Sequence, residues 1–145
     1  MKRVKKWRYY CEFCKKSGAS GGHMARHEKS CTLNPDRVCR MCKAPLDGWR
    51  EDQPEMVDMI KALDIAVIDK HEVEDSEVYT IKNEKEAVEA LRDVANNCPA
   101  CMLAALRQHG YPFLFDSFSF KDEKERFWSD VNESDRRDDC IDRVY

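Results

Sequence analysis

Apolar residues recur with helical spacing over residues 56–106. Met56, Met59, Ile60 and Leu63 fall at i, i+3, i+4 and i+7, an amphipathic helix that Asp52-Gln-Pro-Glu55 opens as a capping box with proline in the first turn. Asn83-Glu-Lys-Glu86 starts a second helix with Ala87, Val88, Leu91, Val94 and Ala95 turned inward. A third opens at Cys98-Pro99, carries Met102, Leu103 and Leu106, and stops at Gly110, with His109 as its C-terminal cap. Between the first two, apolar runs at 65–68 and 78–81 suit strands on either side of a solvated acidic loop, 69–77. Phe113, Phe115, Phe118 and Phe120, then Phe127, Trp128 and Val131 on a charged helix, supply further core, and 130–139 is a charged end. The pattern predicts an α+β fold: a helical body with one short β-hairpin.

Charge divides the chain where periodicity does not. The formal balance of −3 combines a basic head with an acidic body. Residues 1–50 hold thirteen Lys/Arg and four Asp/Glu, a formal +9; residues 51–145 hold twelve and twenty-four, a formal −12. Such segregation signals interaction. Residues 2–9, Lys-Arg-Val-Lys-Lys-Trp-Arg-Tyr, interleave cations with aromatics and suit phosphate contact with base stacking, although Tyr9, two residues before Cys11, is expected in a local core. No apolar run reaches membrane-spanning length. The opening Met-Lys-Arg-Val-Lys-Lys-Trp lacks an apolar signal core, so a cytoplasmic, reducing setting is expected for the eight cysteines.

The cysteines carry the chemistry. Cys11/Cys14, Cys39/Cys42 and Cys98/Cys101 are Cys-x-x-Cys pairs, each able to place two sulfurs along one edge of a tetrahedron. His27 and Cys31, four apart on a helix, share a face and can supply the opposite edge to Cys11 and Cys14. His23, one turn before His27, could replace Cys31. The remaining pairs make a four-cysteine site, Cys39, Cys42, Cys98 and Cys101, and Cys140 is left free. Two structural zinc ions with eight ligands are therefore expected. Their seven thiolates and two dications add a net −3 to the formal charge.

Residues 9–31 resemble the classical zinc-finger family in a three-cysteine, one-histidine form. Tyr9-x-Cys11-Glu12-Phe13-Cys14 stands as its hairpin and knuckle, and Met24 takes the apolar helix position three residues before His27. The family's aromatic, four residues after the second cysteine, is here Gly18, with Phe13 available to fill part of the space. With a helix from near Gly21, the resemblance places Ser20, His23 and Arg26 toward bases. The string from His27 to Cys42 is similar to one in small bacteriophage-encoded zinc proteins, which implies a viral origin and a compact accessory role. A Cys39/Cys42 knuckle completed by Cys98/Cys101 at a helix N-terminus resembles a treble-clef site carrying a long insertion.

The expected organisation is a basic zinc finger and arm, 1–35, and an acidic four-cysteine body, 36–145, with insertion 43–97. The leading function is contact with nucleic acid through Lys15, Lys16, His23, Arg26 and Lys29. The alternative is a protein–protein adaptor, an inhibitor of a host enzyme, or a virion component. Neither calls for a small-molecule substrate or a membrane. Catalysis is not expected: there is no nucleophile–base pair, no open metal position, and His71 among carboxylates reads as a solvated loop.

Overall fold

The computed structural model describes residues 1–43, 53–110 and 115–141, with side chains at 43 and 134–141 outside the description. Asp52, Phe113 and the Cys140 thiol, named above, therefore lie outside the described part. The fold is mixed α+β, with helices and two small antiparallel hairpins.

The head begins with β1 (Tyr9–Tyr10) paired to β2 (Ser17–Gly18) and continues into α1 (Gly21–Ser30). Ser20 caps α1 by accepting from the His23 N–H, which commits its hydroxyl to the helix rather than to a base. Tyr9, expected in the core, is 48% exposed; its ring instead lies over Gly21, where a Cβ would come within 3.2 Å. Phe13 is exposed too. The space belongs to Met24, whose methyl sits 3.3 Å from where a Gly18 Cβ would stand. A small residue at 18 and a flexible thioether at 24 thus replace the aromatic of the finger pattern.

After a turn-rich linker come α2 (Arg40–Lys43), α3 (Met56–Ala62) and a 3-10 turn (Leu63–Ile65). Met59 and Leu63 are fully buried, as their spacing requires. The N-cap of α3 is Glu55, which makes no side-chain bond there; the Asp52 half of the expected capping box lies outside the described residues. Strands β3 (Val67–Val73) and β4 (Ser76–Lys82) extend through the segment expected to be an acidic loop. The turn shrinks to Glu74 and Asp75, both at positive φ (46° and 61°), a left-handed pair that matches strand twist. Lys70–Glu77 and Lys82–Asp69 ion pairs link the strands.

Helices α4 (Glu84–Val94), α5 (Pro99–Gln108) and α6 (Phe120–Ile141) complete the body. Ala87, Val88, Leu91 and Ala95 are buried on α4, whereas Val94, at the end of that face, is about one-third exposed. One core joins Met59, Leu63, Leu91, Met102, Leu106 and Phe115 with the four cysteines of the body. Arg92 on α4 donates to both carboxylate oxygens of buried Glu123 on α6, at 3.2 and 2.6 Å, fastening the last helix. Gly110 follows α5 at φ +90°, the left-handed stop that glycine permits. The charged 130–139 stretch is helical within α6.

Candidate metal centres

The head assembles Cys11, Cys14, His27 and Cys31, with all four ligand atoms within 4.8 Å of one another. Cys11 directly follows β1, and its N–H donates to the Lys16 carbonyl at 2.9 Å, closing the knuckle over Cys14. His27 projects from α1, with Nε2 3.2 Å from Cys14 Sγ. Cys31 is the C-cap residue of the same helix. His23 stays outside the group; it is exposed and accepts from Arg26 at Nδ1 (3.3 Å). Cys31 therefore occupies the fourth position. At Cys11 burial opposes ionisation, but backbone bonds at Phe13 and Cys14 prevail and hold the thiol below its ordinary range. Glu28, one turn of helix away, accepts from the Glu12 N–H and so braces the knuckle.

The body assembles Cys39, Cys42, Cys98 and Cys101, again within 4.8 Å and with every residue buried. Cys39 directly precedes α2 and Cys42 lies within it; Cys98 is the N-cap of α5 and Cys101 sits in its first turn. Both pairs thus open helices, where backbone N–H groups and the helix dipole favour thiolate. The Cys39–Cys98 and Cys42–Cys101 sulfurs are 3.6 and 3.5 Å apart. A disulfide would need about 2.05 Å. A tetrahedral ion with metal–sulfur bonds near 2.3 Å would space its sulfurs at roughly 3.8 Å. The observed edges fit the ion. Crowding makes the four thiols strongly unequal: bonds from Cys101, Cys42 and Cys98 hold Cys39 far below the thiol range. The corresponding contacts with Cys39, Cys42 and Cys98 push Cys101 far above it. A divalent cation at the centre would remove that opposition and let all four ionise.

Two residues around this site escape sequence reading. Arg37, 5% exposed, donates from Nη1 to Cys101 Sγ at 3.7 Å and brings a cation to a sulfur-rich pocket. Gln53 receives the Cys39 N–H at 2.6 Å and donates to the Arg37 carbonyl at 2.8 Å, clipping the segment that carries both. No spacing rule flags either one; their roles follow from chain segments 14–64 residues apart meeting in space.

The centres are joined through the linker. Val38 N–H donates to the Lys29 carbonyl at 2.7 Å, and Arg40 reaches the Arg26 carbonyl at 3.4 Å. Buried Asn34 bonds to the Glu28 carbonyl and to the Asp36 N–H, while Gln108 of α5 donates to the carbonyls of Thr32 and Asn34. Arg107 adds a bond to the Thr32 hydroxyl at 2.8 Å. Of the other residues predicted to act, Lys15, Lys16, Arg26 and Lys29 are all exposed on the head. His71 lies on β3 opposite Val78, outside both groups. His109, the C-cap of α5, points Nε2 at Asp64 from 3.1 Å. Among the described residues no helix is long and apolar enough to cross a membrane. Comparison with family models, curated proteins and solved structures gives no match.

Proposed function

We propose that this is a zinc-stabilised binding protein whose basic head contacts nucleic acid, in the manner of a small phage accessory factor. Zinc is the metal because three thiolates with one imidazole, and four thiolates, suit a tetrahedral borderline-soft ion without redox demands. Side chains fill all four positions at each site, which supports a structural rather than catalytic role. The α2 turn with the N-terminus of α5 supports a treble-clef reading in which α3, the β3–β4 hairpin and α4 form the insertion.

The observation that carries the nucleic-acid reading is the state of the charges. Residues 1–35 hold nine Lys/Arg against two Asp/Glu, a formal +7. Among the described residues none of these nine cations is in an ion pair, and Glu28, one of the two acids, is committed to a backbone N–H. In the body, by contrast, Lys61, Lys70, Lys82, Arg92 and Arg126 each face a carboxylate. Lys15, Lys16, His23, Arg26 and Lys29 are then the finger's contacts. Retention of the zinc-loaded protein on immobilised DNA and RNA over a salt series tests this. Binding that weakens steeply with salt, and that Lys15→Ala with Lys16→Ala reduces, supports it. No retention at low salt refutes it.

One observation favours a second reading, a protein–protein adaptor. Hairpin β3–β4 has most of its residues exposed and is rich in carboxylates, a surface suited to a basic protein partner. Specific recovery of one partner protein without nucleic-acid retention would move the function there.

A further inference from the structure

The head offers two faces to a polynucleotide, and they differ in chemistry. The helical face of α1 is poor in groups that read base edges. Ser20 is spent on the cap, Gly22 has no side chain, and His23 and Arg26 hydrogen-bond to each other. Its C-terminal half is approached by the linker and α2 through Lys29 and Arg26 carbonyl bonds. Major-groove reading needs several free donors and acceptors along a helix. This helix has few.

The arm and the outer side of the β1–β2 hairpin are different. Trp7 is 84% exposed, Tyr10 is 64% exposed, and Phe13 is exposed beside them in sequence. Strand alternation turns Tyr10 away from the face where Tyr9 covers Gly21. Arg8 is fixed to the hairpin by its bond to the Ser17 hydroxyl at 3.0 Å. Lys15 and Lys16 stand exposed in the turn between the strands, and Lys5 and Lys6 are exposed on the arm. Large aromatic surfaces left in water beside unpaired cations are costly unless something stacks on them. Bases paired within a duplex hide their faces; unpaired bases present them. A duplex also brings two phosphate strands toward an acidic body of formal −12 over residues 51–145, where a single strand brings one.

We propose that the arm and hairpin face of residues 2–16 is a binding site for single-stranded nucleic acid. Trp7, Tyr10 and Phe13 stack on successive bases, and Lys15, Lys16 and the arm cations follow the phosphates. Every base has a π-face, so the site tolerates sequence, and no group in it is placed to demand a 2′-hydroxyl or its absence. The proposal rests on the nucleic-acid reading of the head and sharpens it to a strand state.

The test uses the full-length zinc-loaded protein and fluorescence anisotropy with labelled oligo-dT, oligo-U and a mixed-sequence duplex of equal length. Either single strand should bind tighter than the duplex. Trp7→Leu and Tyr10→Leu should each weaken strand binding roughly tenfold or more, with the salt slope and zinc content unchanged. Lys15→Ala with Lys16→Ala should instead flatten the slope by roughly 1.4 units, the value for two phosphates of a single strand. Trp7 lies on an arm outside both metal groups, so its replacement tests binding without threatening the fold. Tighter duplex binding, indifferent to Trp7→Leu and Tyr10→Leu but sensitive to Arg26→Ala, overturns this proposal and leaves the head a duplex binder. Absence of binding to all three probes overturns both readings.

Discussion

The two metal centres use similar ligands in opposite settings. Around the head's centre the buried cluster consists of Cys11, Met24 and Cys31, with Cys14 packed against it. Three of those four residues are ligands. Around the body's centre Cys39, Cys98 and Cys101 are fully buried in a core with Met59, Leu63, Leu91, Met102, Leu106 and Phe115. In the head, a metal held by these residues would stand in for a hydrophobic core; in the body it would be one component of a core that α3, α4 and α5 also build. The apolar area of the finger could not order its chain alone, because each residue fixed costs roughly 1–2 kcal/mol in lost conformational entropy. The difference teaches that a shared ligand motif does not imply a shared dependence. Losing metal should abolish the finger and damage the body by different routes.

The sharpest way to break the comparison is one ligand at a time. Structural zinc contributes on the order of 10–16 kcal/mol, as large as the whole stability of an ordinary domain. Cys98→Ser should cut the metal count to one per chain and remove the cooperative melt of the body, since Cys98 and Cys101 anchor α5 beneath α3. Cys14→Ser should also cut it to one, but should leave that melt within a few degrees of the parent and lose only finger signals. Elemental analysis with calorimetry and two-dimensional NMR separates these outcomes. If Cys14→Ser melts the body as well, the linker bonds from Arg107 and Gln108 couple the centres more tightly than their burial suggests.

A smaller effect should come from Met24, the one non-ligand in the finger's buried cluster. Met24→Ala removes most of its apolar filling and should cost roughly 2–5 kcal/mol, read as weaker zinc retention by the head under chelator competition. Chelator should take the head's metal first even in the parent, because Cys14 and His27 are only partly buried. A single-phase release of both ions would contradict the contrast.

The two Cys/His groups were legible because tetrahedral metal binding calls for short local spacings, and a helix or knuckle makes those spacings meaningful. Helices α3, α4 and α5 were legible for the similar reason that one buried face repeats every three to four residues. What failed was whatever depended on a distant partner or on a turn without its usual residues. The β3–β4 strands were read too short, with 69–77 left as a loop, because Glu74-Asp75 lacks the glycine or asparagine that marks a left-handed turn, and because Lys70–Glu77 and Lys82–Asp69 pairs make a charged strand self-consistent. Tyr9 was placed in a local core from its position two residues before Cys11; Gly21, without a side chain, lets the ring lie on the start of α1 instead. Arg37 and Gln53 gave no signal, since each acts on a cysteine through a fold that brings remote segments together.

Arg37 sharpens the comparison further. A four-thiolate centre with a dication retains a formal −2 inside a core, whereas the head's three thiolates with one imidazole retain −1 near solvent. The body's excess is met by the Arg37 guanidinium, whose Nε lacks an acceptor among the described residues and so costs something to bury. That cost is reasonable only if the charge is needed. Arg37→Met should weaken zinc affinity at the body centre by roughly 10–100-fold and leave the head centre unchanged, while Arg37→Lys should recover part of the loss. Gln53→Ala should act in the same direction, more weakly, by freeing the Cys39 N–H. Competition with a chromophoric chelator measures both, with Cys14→Ser as background to observe the body's ion alone and the otherwise unaltered protein to follow the head's. Equal affinities in parent and Arg37→Met would make the arginine a packing residue.

The smallest expected effect is at the far end of the body, in the hairpin that neither metal touches. Asp69 is held below the ordinary carboxylate range, first by its hydrogen bond from Lys82 and then by that ammonium's charge. Glu77 is held below it by Lys70 and by the Tyr79 hydroxyl, which donates at 2.7 Å. A depressed carboxyl favours the folded hairpin above its unfolded pKa, and that contribution is lost as pH falls through the lowered value. The pairs should therefore be intact at neutral pH and should open in acid below the range where free carboxylates titrate. Both are solvent-exposed, so added salt should move the two titrations back toward ordinary values. Carboxyl-detected NMR titration at low and high salt reads this directly. Exposure predicts that the global melt will not register the change, because the hairpin's charge pairs stand apart from the core containing Cys39 and Cys98. A matching acid transition in the melt of the body would show instead that the hairpin is part of the cooperative unit that the four-cysteine centre holds together.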